Sequence, residues 1–163
     1  MNLIVSDLPR EALCIREGDT LLTPESGGLA PCTGCFGCWI RTPGQCLIAD
    51  AGQKTGALLG RARRLILVSR CIYGSYSVFV KRVLDRAISY VHPCFTFRYG
   101  EMHHRHRYEN CLLISAYLYG DDLTTGECET ARLLLRANAE NLDGVVERVM
   151  FCRRSEELRR MVL

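Results

Sequence analysis

Residues 65–91 read LILVSRCIYGSYSVFVKRVLDRAISYV. Leu65 to Val68 is uniformly apolar, which is the pattern of a strand covered on both faces within a parallel sheet. The loop SRCIYGSY follows, and then a helix predicted from about Ser75 to Val91. Tyr76, Val80, Val83, Leu84, Ala87, Ile88 and Val91 make its apolar stripe, and Lys81, Arg82, Asp85 and Arg86 are expected to face water. A buried strand followed by an amphipathic helix is the repeating unit of an α/β sheet.

The flanking sequence repeats that unit. Asn2 to Val5 reads as a first strand. Residues 8–17 read as a short helix, with Pro9 in its first turn and Gly18 just past its end. Thr20 to Thr23 reads as a second strand, and residues 23–49 as a long functional loop. Asp50 is placed as the cap of a helix over 51–61. Residues 92–109 read as polar, aromatic and irregular. Cys111 to Leu118 is a further buried strand, and Thr124 with Glu127 forms a capping box that opens a helix to about Leu142. Val145 to Cys152 is a last strand, and Ser155 to Leu163 a short final helix.

The sum is one domain over 1–163: an α/β, three-layer fold around a five-stranded parallel sheet of order 2-1-3-4-5, with a shortened first helix. On such sheets ligands sit beyond the carboxyl ends of the strands, at the switch point between the first and third. Ser6–Arg10, Arg70–Ser77 and Tyr117–Thr125 are predicted to meet there, with the loop after the second strand at the same end.

An apolar share of 48% and a charged share of 24% are those of an ordinary soluble domain. A net charge of +3 is too small to argue for nucleic acid. No apolar run approaches the ~20 residues of a membrane span. The opening MNLIV has neither the basic region nor the cleavage site of a signal peptide, so none is expected. Ten cysteines without a signal point to a reducing cytoplasm, where thiols serve metals, redox work or packing.

Four of those cysteines fall in PCTGCFGCWIRTPGQCLIAD (31–50), spaced C-x2-C-x2-C-x7-C at Cys32, Cys35, Cys38 and Cys46. Gly34 and Gly37 between them permit positive φ and a close backbone approach, and Pro43-Gly44 marks a turn before the fourth thiol. The first three match the spacing of bacterial ferredoxin runs, which suits an iron–sulfur cluster. Zinc is the nearest rival, although it more often shows two separated C-x2-C knuckles. Reduced cysteines packing as small apolar groups are the plainest alternative.

These stretches resemble the flavodoxin-like NAD(P)H-dependent FMN reductases and, among them, the iron–sulfur flavoproteins. The likeness covers nearly the whole chain and is strongest over residues 31–50 and over SRCIYGSYSVFVKRVLDR. It implies a [4Fe–4S] cluster on Cys32, Cys35, Cys38 and Cys46, and FMN reduced by NAD(P)H. Family members show S-P-x-Y-x-x-S and then L-K-x-x-x-D-R after the third strand. Ser69, Gly74, Ser75, Ser77, Lys81, Asp85 and Arg86 match, while Arg70 and Ile72 depart. The resemblance nominates Tyr73, Gly74, Ser75 and Tyr76 for flavin contact. Ser6 and Arg10 in the first loop, and Tyr119 and Gly120 in the loop after the fourth strand, complete the implied cofactor set.

The first loop is where the likeness is weakest. Family members hold the FMN phosphate on a Ser/Thr/Asn-rich turn opening a long helix. Here the turn reads VSDLPREALC, and Asp7 and Glu11 bring carboxylates to the place of a dianion. Two readings follow. One is a flavin-dependent NAD(P)H oxidoreductase or electron-transfer flavoprotein, serving a small-molecule or protein electron carrier, with no catalytic side chain required. The other is a protein that has lost FMN and works as a redox sensor, metal-binding or partner-binding module. The family implies a homo-oligomer, a dimer or larger. GEMHHRHRY (100–108) reads first as a solvated basic loop, with metal or a dinucleotide 2′-phosphate as alternatives. Cys111 and Cys152 read as buried apolar groups, and Cys71 as the redox-sensitive thiol among the rest.

Overall fold

The structure, a computed structural model, describes residues 1–160. Five strands build one sheet: β1 (Asn2–Ser6), β2 (Thr20–Leu22), β3 (Arg64–Arg70), β6 (Leu112–Tyr119) and β7 (Gly144–Cys152). Their order is β2-β1-β3-β6-β7 and every pairing is parallel. Discounting the two strands outside this sheet, the order is the expected 2-1-3-4-5.

Alternation along the central strands divides the core. Leu3, Val5, Leu65, Leu67, Leu112, Ile114, Ala116 and Leu118 face one way, and Ile4, Ile66, Val68 and Tyr117 the other. On the first face lie α2 (Thr55–Arg61), α3 (Val78–Arg86) and α4 (Thr125–Asn141), which contribute Leu59, Val80, Val83, Ala131, Leu135 and Ala139. The Thr124–Glu127 capping box opens α4 as expected, with the Thr124 Oγ1 accepting from the Glu127 N–H.

The second face is covered more thinly. The short helix expected over 8–17 is one 3₁₀ turn, Arg10–Ala12, and the expected final helix is a 3₁₀ segment, Ser155–Arg160. The end of that expected helix, 161–163, lies outside the described residues. The two 3₁₀ segments touch, and Leu8, Leu13, Ile15 and Leu158 complete the cover.

Residues 92–109 are ordered, contrary to the irregular reading. They form most of a two-stranded antiparallel hairpin, β4 (Val91–Arg98) and β5 (Glu101–His106). Tyr99 and Gly100 close it at φ 54° and 83°, and positive φ at both central residues suits a two-residue turn of the primed kind. Phe95, Phe97, Tyr99 and Met102 are exposed on it, so no burial pattern announced the strands. The predicted helix over 75–91 starts later and tightens into 3₁₀ at Ala87–Tyr90. Arg86, expected in water, is 1% exposed.

Gly56 of α2 lies against that 3₁₀ turn. A Cβ there would come within 2.1 Å of the Ser89 Oγ and 2.7 Å of the Tyr90 backbone N. Gly56→Ala is therefore expected to destabilise the fold by about 1–3 kcal/mol, despite alanine's better helix propensity. Urea unfolding measures it, and an unmoved midpoint would mean that the two elements separate freely.

Candidate functional site

The cysteine segment folds around its glycines. Gly34 takes φ 65°, and Gly37 leaves room for the Leu47 side chain, which a Cβ would meet at 2.2 Å. Phe36 sits at φ 55°, unusual for a bulky residue, and leads into the single turn α1 (Gly37–Ile40). Gly44 N–H donates to the Cys38 carbonyl at 3.0 Å and Cys46 N–H to the Gln53 carbonyl at 2.9 Å, which brings the fourth thiol back beside the third. Trp39 Nε1 donates to the Val91 carbonyl at 3.0 Å and ties α1 to the end of the 3₁₀ turn.

Asp50 and Arg86 close the segment. Arg86 Nη1 and Nη2 donate to the two Asp50 carboxylate oxygens at 2.9 and 2.7 Å. The same nitrogens donate to the carbonyls of Ala30 at 2.8 Å and Ile48 at 3.1 Å. Asp50 also accepts from the Ala30 and Gly52 N–H groups, each at 2.9 Å. Instead of capping α2, then, Asp50 gathers both ends of the cysteine segment onto a buried guanidinium of α3. The Arg86 donors hold the Asp50 carboxyl below its usual range, although its partial burial opposes this.

Cys32, Cys35, Cys38 and Cys46 all line one cavity of about 430 Å³. Phe36, Trp39, Ile48, Leu84, Arg86 and Ile88 supply much of the remaining wall. Cys38 and Cys46 are buried and Cys32 and Cys35 exposed; none is in a disulfide. Burial pushes the Cys38 thiol up, and the neighbouring Cys46, Cys32 and Cys35 add to it. The Gly37 N–H, followed by the Thr33 hydroxyl, pulls the Cys35 thiol down. Among the described residues, no three His, Cys, Asp or Glu side chains surround a single metal-ion position.

The switch point is arranged differently from the flavin expectation. Ser6 is fully buried, and its hydroxyl both accepts from the Leu8 N–H and donates to the Leu8 carbonyl. Asp7 accepts from the Arg70 N–H at 2.8 Å and from the Tyr119 hydroxyl at 3.1 Å. One carboxylate thus bridges the ends of β1, β3 and β6. Burial and Asp7 together push the Tyr119 hydroxyl far up. Gly120 N–H is taken by the Cys152 carbonyl at 3.1 Å. Arg10 and Glu11 are exposed on a turn too short to present a helix dipole. These residues do not fit an FMN phosphate.

The expected ring loop is a second primed-type turn. Tyr73 and Gly74 take φ 50° and 75°, and Ile72 and Ser75 exchange both backbone hydrogen bonds across them at 2.9 Å. Tyr73 stands 88% exposed, whereas Gly74 is pressed against Thr130 of α4. Ser75 is half-buried at the turn's end. Tyr76 is a core side chain whose hydroxyl accepts from Asn138, and its burial pushes it up to about 12. The four nominated residues therefore do not share one surface.

Cys71 is buried and its thiol pushed up, which argues against the reactivity expected of it. Cys111, expected inside, is exposed, while Cys152 is buried as expected. The histidines of the 100–108 stretch do not converge: His103 faces Asn141, His106 pairs with Asp143, and His104 stacks on Phe95 and meets Trp39 at a tilt.

No family model matches this chain, and no curated protein matches it.

Replacing Arg86 with Met would leave Asp50 and two carbonyls without their donor. The expected loss is about 3–5 kcal/mol, because one partner of a buried pair stays behind. The pair also predicts a pH dependence. Asp50 is depressed in the folded state, so its contribution is complete above the unfolded value of about 3.9 and fades as pH falls through the lower folded value. Unfolding followed from neutral pH down to strong acid should show this loss in the wild type, and less of it in Arg86→Met. Parallel curves would remove Asp50 from the account.

Proposed function

We propose that the protein is a redox module whose working centre is the four-cysteine cavity, holding a [4Fe–4S] cluster on a flavodoxin-like scaffold that has lost its FMN phosphate site. The observation that carries this reading is the convergence of Cys32, Cys35, Cys38 and Cys46 on one cavity with a buried cation in its wall. A structural zinc ion draws its thiolates to about 2.3 Å from one point. The C-x2-C-x2-C run at Cys32, Cys35 and Cys38 matches ferredoxin spacing, which suits a multi-iron group better. When bound, such a cluster supplies one-electron transfer.

The chain's own residues divide the work. Cys38 and Cys46, the two buried thiols, hold the inner side, where Ile48 and Leu84 lend apolar wall. Cys32 and Cys35 hold the outer side, which is where a small-molecule or protein electron carrier can approach. The Asp50–Arg86 pair fixes the segment's ends, so that the thiols need little reorganisation on loading.

The scaffold reading rests on the sheet order and on the motif likeness in 31–50 and 69–86. A thin second face, with 3₁₀ turns in place of the first and last helices, is the finer form proposed for it. A second reading, NAD(P)H-dependent FMN reduction, keeps one favourable feature: the exposed Tyr73 at a loop resembling the family's ring loop. The Asp7 bridge disfavours it, since a phosphate dianion there would face a carboxylate.

Protein purified without oxygen should contain iron and acid-labile sulfide with the broad visible absorption of a cluster. Cys38→Ala should abolish it and Cys152→Ala should not. Zinc in place of iron would convert the site to a structural one, and neither metal would leave a thiol loop. Flavin binding separates the two readings of the switch point. FMN should exceed riboflavin by less than about 2.8 kcal/mol, roughly a hundredfold, if it binds at all. A preference of several thousandfold would restore the phosphate site, because several charge-assisted bonds of about 1.5–3 kcal/mol each would then be acting.

A further inference from the structure

Arg86 carries five N–H donors, and four of them are engaged by Asp50, Ala30 and Ile48. The fifth, on Nε, is buried and has no acceptor among the described residues. A buried donor on a cation left without a partner is costly, and so it calls for one. The guanidinium lines the cysteine cavity, and the Cys46 sulfur lies beside it. Asp50, by contrast, does not line that cavity. The ion pair is neutral as a whole, yet its positive member is the one in the cavity wall.

We infer that Arg86 tunes the sulfur centre: its Nε–H is the donor for a sulfur of the loaded site, at Cys46, and its charge offsets the negative thiolate set. The inference rests on the cluster reading above. Hydrogen bonds to cluster sulfurs and the net charge nearby both set the reduction potential. A donor and a cation on one sulfur favour the more negative, reduced state and so raise the potential. Arg86 touches no electron carrier on this account; it acts through Cys46.

Two substitutions separate tuning from mere anchoring of the loop. Arg86→Met removes the donor and the cation, so the midpoint potential should fall. Asp50→Asn removes the carboxylate behind the guanidinium while keeping Nε–H, so the potential should rise. Both loosen the same anchor, and a purely structural role would move both the same way or neither. Same-direction shifts, or none, would overturn the inference. A measurement on the unaltered protein covers the case in which Arg86→Met fails to fold. With arginine carrying the heavy nitrogen isotope, spin-echo spectra of the reduced centre should show coupling to one arginine nitrogen. Its absence from an intact, iron-loaded protein would overturn the role of Nε whatever the variants do. Wild-type protein without iron and sulfide would instead overturn the cluster reading, and this inference with it.

Discussion

The bidentate contact between Asp50 and Arg86 is the constraint on which the site depends. The cysteine segment has almost no regular structure of its own: one turn of helix, a left-handed phenylalanine and a proline–glycine bend. Such a segment cannot hold four sulfurs in place by local preference, since each fixed residue costs about 1–2 kcal/mol of backbone entropy. What fixes it is a tie from both of its ends to a rigid helix. The guanidinium is suited to that task because its planar fork meets one carboxylate and two carbonyls at once, which an ammonium group cannot do.

The same contact links fold and site. Arg86 is buried because α3 packs its apolar side on the sheet and its last turn against the cysteine segment. The sheet therefore determines where the thiols sit, although none of them belongs to it. At the carboxyl ends of the strands, Asp7 performs a comparable service with opposite consequences. It joins three strand ends at the place where open α/β sheets leave a crevice, and makes that place cohesive rather than receptive.

Much of this was legible in the sequence, for reasons that differ by residue. The apolar runs at 65–68 and 111–118 gave the parallel sheet, because a strand buried on both faces shows little alternation. The Thr124–Glu127 box located the start of α4 to the residue. Arg86 was misplaced because helical periodicity sorts residues by side, not by neighbour. A charge on the apparent water side was met by a loop folding back from thirty-six positions earlier, at Asp50. The only local hint was an aspartate closing the cysteine segment and an arginine ending α3. The hairpin at 91–106 was missed because its apolar residues are exposed and its turn is Tyr-Gly, not the usual Asn-Gly. Tyr73-Gly74 uses the same dipeptide in the same way, so recognising either turn would have disclosed the other. Asp7 was suspect from its charge alone; its partners lie 63 and 112 positions away and only tertiary structure supplies them.

Trp39 is the chain's one tryptophan. Its indole ring stacks with Phe36 at 5.5 Å between centroids and meets the tilted His104 ring at 4.9 Å, and its N–H is fixed to the carbonyl of Val91. It therefore stands between the sulfur-lined space and the hairpin, touching both. Light absorbed by this one ring is emitted from a known address. Its colour reports how wet that address is, and its yield reports what chromophore lies alongside. The molecule carries a built-in optical gauge, so that filling, emptying or rearranging the space beside α1 registers as a change in emission without any label being attached.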